Sequence, residues 1–227
     1  EVLSGRTRDS NMYHLAGELT RVGIDLAEVR VVSDDADAIT GAVRALSDGF
    51  GMVFTSGGIG PTHDDITAEN VARAFGVPIS VRDDARALLA AHYARSGTEL
   101  NESRLRMARI PDGATLIDNP ISAAPGFTLG NVHVMAGVPT IFEAMLASIL
   151  PTLVGGAPLL SQSLQIFRGE GDIAGPLSKL AARYPDLGIG CYPFQRDGAF
   201  GAQVVIRGQD GARVDAAIAE LNAMFPA

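Results

Sequence analysis

The sequence predicts an α/β fold: a three-layer domain with a mixed, mostly parallel sheet, followed by a small α+β domain. Three observations carry this. Through roughly the first 150 residues, short apolar runs alternate with stretches of helical spacing, the order that builds a sheet covered by helices. Val154-Gly155-Gly156-Ala157-Pro158 then makes a natural linker. Beyond it the order becomes strand, helix, strand, strand, helix, a split α+β unit. The domains are therefore drawn at 1–153 and 159–227.

Asp9 or Ser10 can cap a first helix in which Met12, Leu15, Leu19 and Val22 recur at helical spacing, and Gly23 ends it. Ile24 to Val32 reads as a strand, and Ser33-Asp34-Asp35 opens a helix to about Leu46. Met52 to Thr55 is a short buried strand; Thr67 caps the next helix and Gly76 stops it. A short apolar run, Val77 to Val81, precedes helices over 83–95 and 101–108, the second leading into Ile110-Pro111. Thr115 to Ile117 is a strand, residues 119–127 a turn-rich loop, and 127–129 with 132–135 a hairpin around Gly130-Asn131. A helix over 141–150 closes the domain. In the second domain, strands are expected at 164–168, 187–194 and 200–207, and helices at 172–184 and 212–224. Arg196-Asp197-Gly198 makes the hairpin.

Composition narrows the function. With 47% hydrophobic and 19% charged residues the chain is an ordinary globular one, and a net charge of −8 gives no footprint for a polyanion. Gly208-Gln209-Asp210-Gly211 spells Gly-x-x-Gly, but it joins a strand to a helix and carries an acid, so it reads as a turn and no nucleic acid is expected. Cys191 is alone, which excludes an internal disulfide and fits a reducing, cytoplasmic setting. No apolar run approaches the ~18 residues needed to cross a bilayer. No signal peptide is visible, though the chain opens at Glu1 without a Met.

The chemistry concentrates at residues 52–70. After the strand, Ser56 leads into Gly57, Gly58 and Gly60, which leave a loop whose backbone a ligand can approach, and Pro61 stiffens its exit. Strand, glycine loop and helix start in that order make an anion site. Asp64 and Asp65 would repel a phosphate unless a cation lay between, so the pattern implies a phosphorylated ligand held with a hard metal ion, Mg²⁺ or similar. There is no His/Cys cluster for Zn²⁺. A tight turn would explain the glycines alone, and a surface position would explain His63. From position alone, Asp34 or Asp35 reads as a helix cap. Arg104, Arg106 and Arg109 suit phosphate but fit a solvated helix face at least as well. In an open sheet the glycine loop, Asp34 and Gly137 would meet at the C-terminal edge of the strands.

The full string Thr-Ser-Gly-Gly-Ile-Gly-Pro-Thr followed by Asp-Asp-Ile-Thr closely resembles the signature of the molybdopterin-binding (MoaB/MogA-like) domain family. The likeness is greatest to the competence/damage-inducible protein A (CinA) branch and the related N-terminal domain of FAD synthases. Asn119 to Phe127 resembles the family's Asn-Pro-x-Gly-x-Ala-Pro-Gly-Phe element with Ser122 and Ala123 varying, and 136–139 resembles its Pro-Gly-Val-Pro turn with Ala136 replacing Pro and Ile141 standing where Glu is common. The resemblance implies a first strand that the sequence does not contain, with Glu1 following it as a further metal ligand, and Asn11 in the polar pocket. It implies a KH-like second domain and a homo-oligomer; the deamidase domain of full CinA proteins is not in this sequence.

Three readings follow from the resemblance. The first is a metal-dependent (Mg²⁺, Mn²⁺ or Co²⁺) hydrolase of a nucleotide pyrophosphate such as ADP-ribose or FAD. In it Gly57, Gly58 and Gly60 cradle phosphate oxygens, Thr62 donates to phosphate, and Asp64 and Asp65 hold metal and position water. Asp34, Ser56, Asn11 and Gly137 complete the expected site. The second is molybdopterin binding with adenylyl transfer, using the same pocket, with Asp34 and Asp65 in the polar or catalytic role. The third is a non-catalytic ligand-binding module, which the departures at Ala136 and Ile141 would suit.

Overall fold

The structure, a computed structural model, describes residues 2–196 and 198–226, with Arg196 described by its backbone alone. Glu1 and Asp197 lie outside the described residues, and so do the metal role expected of the first and the hairpin position expected of the second. The chain packs as two units, residues up to Gly17 with Leu26–Val154, and Glu18–Asp25 with Gly155 onward.

Helix α1 (Ser10–Arg21) starts where the Asp9 carboxylate accepts the Met12 N–H at 2.9 Å. In the first unit follow α2 (Ala36–Gly49), β1 (Val53–Ser56), α3 (Thr67–Phe75), β2 (Ile79–Val81), α4 (Asp83–Ser96), the single turn α5 (Glu102–Leu105), β3 (Arg109–Pro111), β4 (Thr115–Ile117), β5 (Gly126–Leu129), β6 (Val132–Met135) and α6 (Pro139–Ile149). Four strands form one sheet in the order β1-β6-β5-β4; β1 and β6 are parallel, and β6-β5 and β5-β4 are antiparallel. Alternation along β6 sends Val132 and Val134 into a core shared with Ile39 and Val43 of α2, Val71 of α3 and Leu89 of α4. Helix α6 buries Phe142, Met145 and Leu146, and the Met145 sulfur accepts the Ala136 N–H at 3.4 Å. The fold is α/β with a mixed sheet.

Three local expectations are corrected. The strand expected over 24–32 does not form: these residues have no ladder partner among the described strands, and Val29, Val31 and Val32 are exposed. Apolar alternation makes a strand only where a neighbour takes up its N–H and C=O groups. This leaves one parallel pair in the sheet. The cap of α3 is Ile66 rather than Thr67, and no side chain caps it, because isoleucine has no acceptor; the Thr67 N–H goes to the Gly58 carbonyl at 2.9 Å. The helix expected over 101–108 shortens to α5 and a 3₁₀ turn, Arg106–Ala108, which tips Arg109–Pro111 into β3 against β2.

The second unit contains β7 (Leu160–Ile166), α7 (Glu170–Arg183), β8 (Gly188–Arg196), β9 (Ala199–Gly208) and α8 (Gly211–Met224), with the sheet ordered β7-β9-β8 and antiparallel throughout. Ile166, Ala202, Val204 and Ile206 pack with Ile173 and Leu180 of α7 and Val214 and Leu221 of α8. The Asp210 carboxylate accepts the Ala212 and Arg213 N–H groups, so the Gly-x-x-Gly stretch is a helix cap. The Gly156 N–H donates to the Gly23 carbonyl at 3.2 Å, which ties residues 18–25 to this unit.

Candidate functional site

Parallel pairing brings the C-terminal ends of β1 and β6 side by side, with Ser56 opposite Met135. The chain after each strand turns on a glycine. A side chain at Gly137 would lie 3.1 Å from the Gly57 Cα, so the two turns touch through bare backbone. The Gly57 N–H is given to the Met135 carbonyl at 3.0 Å. Asn11, only 6% exposed, locks the junction: its amide donates to the Ser56 hydroxyl and the Gly137 carbonyl, each at 2.8 Å. Four residues expected to touch ligand, Asn11, Ser56, Gly57 and Gly137, are thus bound to one another or to the sheet edge, and frame the loop. Asn11 Oδ1 and Thr55 Oγ1 are buried without a partner among the described residues.

The loop itself is filled by its own polar side chains. A Cβ at Gly58 would lie 2.1 Å from Thr67 Oγ1, and one at Gly60 would lie 2.6 Å from Asp65 Oδ2. Gly60 therefore makes room for a carboxylate. The Thr62 N–H donates to Asp65 Oδ2 at 2.8 Å, and Thr62 Oγ1 lies 2.5 Å from Asp64 Oδ1 and 2.6 Å from Asp65 Oδ2. A hydroxyl carries one proton. Two carboxylates crowd around it, and no Arg or Lys pairs with either among the described residues. The hydrogen bond from Thr62 holds the Asp64 carboxyl below its usual range, with its own backbone N–H and nearby His63 acting the same way. Thr62, expected to donate to phosphate, here positions both acids. The N–H groups of Gly58, Ile59 and Gly60 have no acceptor among the described residues.

An open cleft adjoins this loop, about 320 Å³ when counted out into solvent. Gly58, Gly60 and Asp65 of the loop line it together with Ala68 and Glu69 from the start of α3, Arg106, Arg109 and Phe127. Arg109 is paired with Glu69. Arg106 donates to the Asp65 carbonyl at 3.3 Å, and its Nε is buried with no acceptor among the described residues. Both arginines read as a solvated helix face in the sequence. They reach the cleft because the 3₁₀ turn sets residues three apart on one side, and Ile110-Pro111 behind them was the available signal.

The structure does not bring Asp34 to this place. Asp34 is exposed and absent from the cleft, while Asp35 is the cap of α2, accepting the Asp37 and Ala38 N–H groups. The His63 side chain is fully exposed, 3.9 Å from Asp64 Oδ1. Among the described residues no three His, Cys, Asp or Glu side chains gather as a metal cage. Two adjacent carboxylates still suit an ion of the Mg²⁺ type, which takes one or two carboxylates and completes its shell with ligand phosphates and water. The single proton of Thr62 between the two acids is the observation that fits such an ion.

Residues 1–155 match the family model described as a probable molybdopterin binding domain, and residues 158–227 match that of the FAD synthase middle domain. A protein of Caldivirga maquilingensis is 35% identical over 67% of this chain, and the chain spans 61% of its length. A protein of Archaeoglobus fulgidus is 32% identical over 85% of this chain and 82% of its own. Among solved structures, CinA of Thermoplasma acidophilum, described as of unknown function, is similar over 67% of this chain and 92% of its own, with a TM-score of 0.62 and 35% identity.

Proposed function

This chain belongs to the probable molybdopterin-binding domain family, and on that premise we propose that it is a metal-dependent hydrolase of a nucleotide pyrophosphate of the ADP-ribose or FAD type. Water adds across the P–O–P linkage, giving AMP and either ribose 5-phosphate or FMN. The observation that carries this reading is the sharing of one Thr62 hydroxyl by Asp64 and Asp65 beside a cleft lined by arginine. The two carboxylates would hold the divalent ion, Mg²⁺, Mn²⁺ or Co²⁺. When bound, such an ion neutralises phosphate charge and acts as a Lewis acid.

The chain's own groups do the rest. Thr62 orients both acids, Gly60 leaves the space that Asp65 occupies, and the N–H groups of Gly58, Ile59 and Gly60 are donors for phosphate oxygens. Asn11, Ser56 and Gly137 fix the loop to the sheet edge, so that these donors need little reorganisation. The FAD synthase match of the second unit favours a flavin nucleotide among the candidates. On this reading the protein is a cytosolic homo-oligomer.

Release of AMP from ADP-ribose and FAD, followed by chromatography with each of the three ions, tests the proposal. Metal-dependent AMP is expected, falling on the order of 10²-fold or more in Asp65→Asn. Asp210→Asn keeps a competent helix cap and full activity. No AMP from either substrate would remove the hydrolase reading. The description of the matching family favours the second reading, molybdopterin binding with adenylyl transfer. Saturable molybdopterin binding, with AMP transferred to the pterin, would then be the result to seek.

A further inference from the structure

The charges of the cleft do not all pair. Glu69 is matched by Arg109, and the Asp65 carboxylate is held by Thr62. Arg106 has no carboxylate within ion-pair distance among the described residues. Its one hydrogen bond among the described residues goes to a backbone carbonyl at 3.3 Å, long for a charged donor, and its Nε is buried with no acceptor among those residues. A buried donor left unsatisfied is costly, and more so on a charged group. Nε–H and the second Nη2 hydrogen lie on one edge of the guanidinium, the edge that takes two oxygens of a phosphate at once. Gly58, Ile59 and Gly60, whose N–H groups have no acceptor among the described residues, line the same cleft.

We propose that Arg106 is the phosphate anchor of the site: its guanidinium turns toward a ligand so that Nε and Nη2 bind two oxygens of one phosphate group in the cleft it lines with the glycine loop. This rests on the reading that the cleft takes a phosphorylated ligand, and it names the group that holds the phosphate independently of the metal. The remaining charges explain why a separate cation is needed there. Asp65 faces the same cleft and repels a bound phosphate, so Arg106 holds the anion in place and metal on the two acids removes the repulsion. A single guanidinium fork and a small open cleft suit one phosphate or one half of a diphosphate, leaving the rest of the ligand outside.

Calorimetric titration of the full chain with inorganic pyrophosphate, in EDTA and again with Mg²⁺, decides this. Wild type is expected to bind in both, more tightly with Mg²⁺. Arg106→Gln should weaken binding by roughly 10- to 100-fold in both conditions, the range for losing a charge-assisted hydrogen-bonded pair. Arg104→Gln should leave it unchanged, because Arg104 lies over the Tyr93 ring and donates to the Glu99 carbonyl. If Arg106→Gln does not stay folded, Arg106→Lys carries the test: it keeps the charge and loses the two-toothed edge, and should bind roughly 5- to 10-fold more weakly. Wild-type affinity in the folded Gln or Lys variant, or no pyrophosphate binding by wild type in either condition, overturns the proposal. Arg106-dependent binding in a protein that releases no AMP would remove the hydrolase and keep the anchor. Metal-dependent AMP release with an unchanged KM in Arg106→Gln would do the reverse.

Discussion

Both units are rich in glycine and in carboxylates, and they put them to different uses. In the second unit the space at Gly190 is covered by the Tyr192 ring, that at Gly201 by the Ile166 carbonyl and the Phe194 ring, and that at Gly208 by Leu187. Three of its acids are matched or capped: Asp186 with Arg213, Glu220 with Arg183, and Asp210 with two N–H groups at the start of α8. In the first unit the space at Gly58 is taken by a hydroxyl and that at Gly60 by a carboxylate, and Asp64 and Asp65 share one proton donor with no basic partner among the described residues but a distant His63. A glycine cluster reports that something approaches the backbone closely. What approaches it separates packing from chemistry.

Alanine at one glycine of each kind tests that contrast with the largest effects. In Gly60→Ala the new methyl meets Asp65 Oδ2, and a side-chain carboxylate can swing away. AMP release and divalent-ion affinity should fall on the order of 10²-fold while stability changes by less than about 1 kcal/mol. In Gly201→Ala the methyl meets the Ile166 carbonyl at 2.4 Å, and backbone cannot yield so easily. The second unit should lose about 1–3 kcal/mol with the site unaffected. Segment-resolved hydrogen exchange beside the AMP assay reads both, and full activity in Gly60→Ala would erase the distinction.

The units should also part on acidification. All four histidines fall outside the second unit. His133 on β6 stacks on Phe54 with ring centroids 5.0 Å apart, its Nδ1 is 2.9 Å from the Thr128 hydroxyl, and burial pushes its pKa below the ordinary 6.5. The unfolded chain therefore binds a proton that the folded chain refuses. Stability is full above pH 6.5 and declines as pH falls from 6.5 toward the folded value, by at most about 1.4 kcal/mol per pH unit. Hydrogen exchange at pH 7.5 and 5.5 should show the first unit loosening and the second holding, and His133→Phe should flatten the response. Equal loosening of both units would point to a cause other than His133.

The order of elements was legible in the sequence because apolar spacing and Gly/Pro punctuation are local signals: β4, β6, the Gly130 hairpin and the β-α-β-β-α order of the second unit stand where the pattern puts them. The strand expected over 24–32 failed because a strand is a relation between two segments, and one segment's pattern cannot report its partner. The acidic loop was legible for the same local reason, since Thr62, Asp64 and Asp65 are within three residues of each other. The frame was legible in part: the glycine loop and Gly137 meet at the strand ends as open-sheet geometry predicts, whereas the contacts of Asn11 with Ser56 and Gly137, across separations of 45 and 126 residues, leave no local mark. Arg106 was hidden by the change from helix to 3₁₀ turn at Leu105, a matter of one hydrogen-bond register.

The smallest expected effect concerns stored backbone strain. Left-handed backbone in the second unit falls on glycine, as at Gly198 with φ 81°, whereas Ala123 in the first unit holds φ 60°, the one described non-glycine residue with positive φ. The Asn119 side chain enforces it: its Oδ1 accepts the Ile121 and Ser122 N–H groups, and its amide donates to the Ser122 hydroxyl and the Ala124 carbonyl. This loop leads to Pro125 at the wall of the cleft. Left-handed alanine costs about 1–2 kcal/mol, and glycine returns part of that through the freer unfolded chain. Ala123→Gly should thus stabilise the first unit by about 0.5 kcal/mol, and Gly198→Ala should destabilise the second by a similar amount. Urea midpoints followed by hydrogen exchange in each unit resolve the pair. A loss of stability in Ala123→Gly would mean that the Asn119 turn relaxes the strain, and the contrast in backbone strain between the units would disappear with it.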